Sequence, residues 1–187
     1  MSNAELLGKL ATFCKLISER CFFVIFGGFA VDGHNGAFTR NHADIDGICY
    51  RKDVEIIRDI LKQMGYQTVL SDHIEEPGFI YKFGAANKEK IFSFQIADKA
   101  GDDSFTISFY SFLRERYPLY FLNPEKVCIG NVCYPAVSKD FLLLLKQRQN
   151  NFFNEQKVKE PEKYKNKIDK HKTTQQDIEL LQSLLRR

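Results

Sequence analysis

The chain has 187 residues, a formal net charge of +3 and 44% hydrophobic residues, among them 17 Phe and no Trp. That length suits one compact domain or a domain with a small helical appendage, with a core built largely on phenylalanine. The charge is too small to imply a nucleic-acid partner by itself, and no apolar run is long enough to suggest a membrane span.

In chain order, apolar residues at helical spacing (Leu6, Leu7, Leu10, Phe13, Leu16, Ile17) predict a helix over 4–19. Ser2 and Glu5 form a capping box for it. Residues 22–26 are uninterrupted apolar, so a buried strand. Gly27-Gly28 breaks the run, and 29–34 turns helically. A strand over 45–50 and a helix over 53–64 follow, with Gly65 as the stop signal. Strands are expected at 66–70 and 79–83 around a polar loop, at 91–97 and at 104–110, then a hairpin over 126–134.

The character then changes. Residues 138–149 read as a well-buried helix with a solid Leu run. Residues 150–172 read as a polar, lysine-rich connector, and Thr173 with Gln176 as the cap of a final helix to about Leu185. This order is α+β: a mixed sheet flanked by helices, with the strands at 22–26, 45–50 and 91–97 side by side. Residues 1–137 form the expected core, and 138–187 a C-terminal helical part packed on it as one compact unit.

The five cysteines include no C-x-x-C pair, so no zinc site is expected. An odd count, with no secretion signal before the first helix, suits a reducing cytoplasm. Cys128 and Cys133 flank the Gly130-Asn131 turn and can face each other. The compartment favours two packed free thiols.

The stretch from Phe26 to Asp46 concentrates the chemistry. Asp44 and Asp46 stand at i and i+2 where a strand begins, so both carboxylates leave one face while Ile45 enters the core. Carboxylates this close repel unless a cation lies between them. Magnesium suits such a pair, because it uses one or two carboxylates and completes its shell with water and substrate phosphates. Gly27-Gly28 lets backbone approach a phosphate, and the following helix offers free N–H groups and a positive dipole end. No Walker or dinucleotide-binding glycine motif competes with this reading.

These residues carry a resemblance. Gly27, Gly28, Phe29, Ala30, Val31 and Asp32, then Gly36, then Thr39, Arg40, His42, Asp44, Ile45 and Asp46 resemble the signature of the DNA polymerase beta-type nucleotidyltransferases. The likeness is greatest to the aminoglycoside and lincosamide nucleotidyltransferases. Phe29 stands where that group usually has Trp.

The resemblance implies Mg2+- or Mn2+-dependent transfer of a nucleoside monophosphate from an NTP such as ATP to a hydroxyl, with two metal ions. It implies metal binding by Asp44 and Asp46, and nucleotide binding by Gly27, Gly28, Thr39 and Arg40. Arg40 either touches the nucleotide or pairs Asp32 or Asp44 structurally. His42 reads as a hydrogen-bonding residue.

The family places a third acidic residue on a later strand. Here that position falls on Ser93, with Gln95 two residues on, and neither supplies a charge or a base at neutral pH. A bulge bringing Asp98 round is the one local rescue. Asp44, Asp46 and the Ser93 position are therefore the candidate catalytic set. A degenerate, non-catalytic nucleotide-binding protein and an antitoxin-like partner protein are the alternatives. The acceptor is open: an antibiotic-like small molecule, which the acidic loop 72–76 would attract if cationic, or a tRNA or protein hydroxyl.

Overall fold

The structure, a computed structural model, describes residues 1–17, 19–74, 76–87, 89–110, 113–159 and 168–186. Its first helix, α1 (Asn3–Ile17), starts as the sequence dictates. The Ser2 amide and hydroxyl donate to Glu5 Oε2 at 2.6 and 3.0 Å, and the Glu5 amide donates back to Ser2 Oγ at 3.3 Å. These bonds hold the Glu5 carboxyl below its ordinary pKa. Leu6, Leu10, Phe13 and Ile17 form the buried stripe.

β1 (Phe23–Phe26) leads into α2 (Gly27–Asn35), then β2 (Ile45–Tyr50), α3 (Val54–Gln63), β3 (Gln67–Asp72) and β4 (Ile80–Asn87). β5 (Glu89–Lys99), β6 (Ser104–Tyr110), β7 (Leu113–Pro118), β8 (Glu125–Ile129) and β9 (Val132–Ala136) complete a nine-stranded mixed sheet. Its main path runs β3-β4-β5-β2-β1-β9-β8. The three strands expected to neighbour one another do so: β1 is antiparallel to β2, and β2 is parallel to β5.

Ala97 pairs with Tyr50 on one side and Ile107 on the other. β6 therefore continues the edge of β5 that β4 occupies over residues 89–95. The sequence reading missed β7, whose segment L-R-E-R-Y-P alternates charge rather than hydrophobicity. It is held by pairing with β6.

Phenylalanine dominates the core. Phe13 of α1 meets Phe92 and Phe94 of β5 with centroids 5.3 and 5.6 Å apart, and Phe94 stacks on Phe83 at 5.2 Å. Phe92, Phe94 and Ile96 are the buried face anticipated for β5, but Ser93, Gln95 and Ala97 on the opposite face are buried too.

The chain divides into two compact units, Met1–Val137 and Ser138–Arg187. The second contains α4 (Lys139–Lys159) and α5 (Ile168–Leu185). Two expectations need correction here. α4 runs ten residues past Gln149 into the supposed connector, and Thr173 lies inside α5 rather than capping it. Residues 160–167 of the connector lie outside the described residues. The Leu run is also only partly buried: Phe141 and Leu142 are inside, whereas Leu143 to Leu145 are half-buried. Consecutive helical residues fan round the axis, so a solid run cannot share one face. Within this unit Lys146 Nζ lies 2.6 Å from Asp177 Oδ2. Among the described residues no helix is long and apolar enough to cross a membrane.

The cysteine expectation is also corrected. Cys128 and Cys133 are direct cross-strand partners in the β8–β9 hairpin and form a disulfide, with Cα atoms 4.1 Å apart. Compartment had favoured free thiols, but strand register places the two sulfurs against each other. Cys14, Cys21 and Cys49 remain free, and burial raises their pKa values, to about 12 for Cys14 and about 11 for Cys21.

Two predictions follow from this packing. A Cβ on Gly47 would run into the Phe94 ring, whereas one on exposed Gly8 in α1 meets nothing within 4 Å. Gly47→Ala should cost about 1–3 kcal/mol in urea unfolding, and Gly8→Ala should add about 0.5–1 kcal/mol. Equal effects would contradict the packing described. For the thiols, unreduced protein in denaturant should titrate three free groups by Ellman's reagent, the native protein should react slowly, and prior reduction should raise the count to five.

Candidate functional site

β1 ends at Phe26, whose register partner on β2 is Asp46. The next residue, Gly27, adopts φ +69° and opens α2, and a Cβ there would lie 2.7 Å from Asp46 Oδ2. Only glycine adopts this conformation readily, and only a residue without a side chain leaves room for the carboxylate. The glycine turn and the second aspartate, 19 positions apart in the sequence, are thus in contact. Asp44 precedes β2 by one residue, and both aspartates are half-buried. The start of α2 has no side-chain cap. That start lies at the positive end of the helix dipole, where an anion is favoured.

The helix is anchored from behind. Tyr134 of β9 donates its hydroxyl to the Phe29 carbonyl at 2.7 Å, a bond that Gly33 makes room for. Burial raises the Tyr134 pKa, so the phenol stays a donor.

Ser93 lies directly opposite Asp46 in the parallel β2–β5 register. Residues paired in this way share a face of the sheet. Ser93 is fully buried, and its Oγ has no hydrogen-bond partner among the described residues. Its partner on β4 is Gly84, which offers no side chain to bond. Gln95 follows on the same face, buried, with Oε1 likewise lacking a partner.

Asp98 does not replace the missing carboxylate. It pairs regularly with Thr106, so it faces the side opposite Ser93. Its two oxygens accept from Arg51 Nε and Nη2 at 2.6 and 2.8 Å. Among the described residues no group of three His, Cys, Asp or Glu is placed to hold a metal ion.

Thr39, Arg40 and His42 belong to a network centred on Asp32, which is 1% exposed. Asp32 Oδ1 accepts from the Thr39 amide and hydroxyl at 3.2 and 2.5 Å, and Oδ2 lies 2.6 Å from His42 Nε2. Arg40 Nη1 approaches His42 Nδ1 at 3.2 Å. A guanidinium only donates, so Nδ1 accepts and Nε2–H donates to Asp32. Asn3 closes the loop, donating to the Arg40 carbonyl at 2.6 Å and accepting from the His42 amide at 2.9 Å.

His42 is thus the hydrogen-bonding residue expected, and Thr39 is bonded within the protein. A Cβ on Gly28 would collide with Arg40 Nη2 and the His42 ring, so the Arg40 guanidinium lies against the start of α2. Sequence reasoning did not find Asn3 or Phe109, whose ring sits 5.6 Å from Phe26. Nothing local signals either contact, because each joins residues far apart in the chain.

Replacing His42 by Ala should destabilise the protein by about 1–3 kcal/mol in denaturant unfolding, because it strips a partner from a buried carboxylate. Asp32→Ala/His42→Ala should recover part of that loss, since neither group is then left alone. A double variant as unstable as the sum of the singles would argue against the pairing.

Comparison with known proteins fits this geometry. A family model for aminoglycoside-2''-adenylyltransferase matches residues 10–77. The crystal structure of the lincosamide antibiotic adenylyltransferase LnuA, lincomycin-bound, is similar over 98% of both chains, at 16% identity and TM-score 0.62. ANT(2'')-Ia in complex with adenylyl-2''-tobramycin is similar over 98% of both chains, at 15% identity and TM-score 0.58. An antigenic nucleotidyltransferase-like protein from Paracoccidioides brasiliensis is similar over 97% of this chain and 77% of its own, at 15% identity and TM-score 0.52. No curated protein sequence matches the chain. The sheet, the glycine turn against Asp46 and these likenesses together make this a nucleotidyltransferase-like fold, similar to that of the antibiotic adenylyltransferases.

Proposed function

We propose that this protein transfers a nucleoside monophosphate, most simply AMP from ATP, to a hydroxyl of a small antibiotic-like molecule, in the presence of Mg2+ or Mn2+. The single observation that carries the reading is the contact between the Gly27 turn and Asp46, with Asp44 two residues before it. It sets a carboxylate pair beside an uncapped helix start, the two features that a metal–triphosphate needs together. The acceptor class rests on the likeness to LnuA and ANT(2'')-Ia.

Asp44 and Asp46 would hold the cation, whose donor preference for oxygen they meet. The bound cation would neutralise phosphate charge and favour departure of pyrophosphate. The first amides of α2 would donate to phosphate oxygens, with Gly27 and Gly28 leaving the backbone accessible. Arg40, held by His42, would add positive charge next to them. In the transfer, the acceptor oxygen bonds to the α-phosphorus as the bond to the bridging oxygen breaks. Pyrophosphate leaves, and the hydroxyl proton passes to a base or to solvent. Catalysis of this kind depends on positioning and charge more than on covalent help from the protein.

Ser93 at the carboxylate position favours a second reading, a nucleotide-binding protein without transfer activity. The two separate cleanly. Calorimetry should show magnesium-dependent ATP or GTP binding that weakens more than about tenfold, or about 1.4 kcal/mol, in Asp44→Asn/Asp46→Asn. α-Labelled NTP should then label a lincosamide or aminoglycoside acceptor and release pyrophosphate. Binding unchanged in the double variant would move the site elsewhere. Binding without transfer to any acceptor would favour the second reading.

A further inference from the structure

Among the described residues, three other aspartates are bonded elsewhere. Asp32 is bonded to Thr39 and His42, Asp53 accepts from the Phe22 amide at 3.3 Å, and Asp98 is bonded to Arg51 on the far face of β5. The position beside Asp46 belongs to Ser93, fully buried and with its hydroxyl lacking a partner among the described residues. Gln95, next on the same face, adds a second oxygen of the same kind, also neutral.

Two dications a few ångströms apart repel roughly four times as strongly as two unit charges, and bridging carboxylates are what offset this. A pair of carboxylates with substrate phosphates is enough for one magnesium. The buried oxygens of Ser93 and Gln95 suit an uncharged hydrogen-bonding group such as a hydroxyl, because neither compensates a second dication.

We infer that this site takes one divalent cation per bound nucleotide, where the arrangement implied by its resemblance takes two, and that Ser93 sets the limit. The inference rests on the proposed nucleotide site, so its test reads nucleotide and metal separately. The full chain is dialysed to equilibrium with Mn2+ and a non-hydrolysable ATP analogue, and both retained species are measured.

The wild-type protein should retain one manganese per nucleotide, and Ser93→Asp, shown to be folded by circular dichroism, should retain two. Two manganese ions per nucleotide in the wild type would overturn the inference. A ratio of one in both folded proteins would overturn the role given to Ser93. If Ser93→Asp does not fold, the wild-type ratio alone decides the stoichiometry, and Ser93→Asn, uncharged, should fold and keep a ratio of one. Failure to retain the nucleotide at all would instead defeat the nucleotide-site reading itself.

Discussion

The carboxylate of Asp46 lies against the backbone of Gly27, and most of the site's geometry descends from that contact. It requires β1 and β2 to pair antiparallel with Phe26 opposite Asp46, and a left-handed residue with no side chain immediately after. Any Cβ at Gly27 would enter the space of the carboxylate and strain the backbone. The same register carries outward. β2 pairs parallel with β5, so Asp46 meets Ser93, and β5 pairs with β4, so Ser93 meets Gly84. One strand pairing therefore sets both what surrounds the acidic pair and what is missing beside it.

The polar residues near the turn show how such a site is kept in one arrangement. Asp32 is nearly inaccessible, and a buried carboxylate is tolerable only when its oxygens are bonded. Thr39 and His42 supply those bonds, and His42 in turn receives Arg40. The loop from α2 to β2 is consequently ordered by a residue within α2 and by Asn3 at the start of α1. A cationic group is held beside an uncapped helix start, where an anion is favoured.

On the other face of β5 the logic is different. Asp98 accepts both bonds from Arg51, and the guanidinium groups of Arg51 and Arg114 lie 4.4 and 4.5 Å from the Phe79 ring centroid. Alternation along one strand therefore separates a charge-paired clasp from the uncharged row of Ser93 and Gln95. That separation is why Asp98, five residues from Ser93 in the sequence, cannot act in its place.

Local chemistry alone determined much of this protein. The capping box of α1, the stop at Gly65, the apolar strands and the Gly-Gly turn are written in adjacent residues, and strand alternation already put Ser93 and Gln95 on the face away from Phe92 and Phe94. The tertiary structure decided what depends on residues distant in sequence. It paired charged β7 with β6, extended α4 through residues that read as a connector, and set Cys128 against Cys133 by register. It also gave Asp32 to His42 and Asp98 to Arg51. A carboxylate's partner is chosen by the approach of separate strands and loops, and no local pattern encodes that distance.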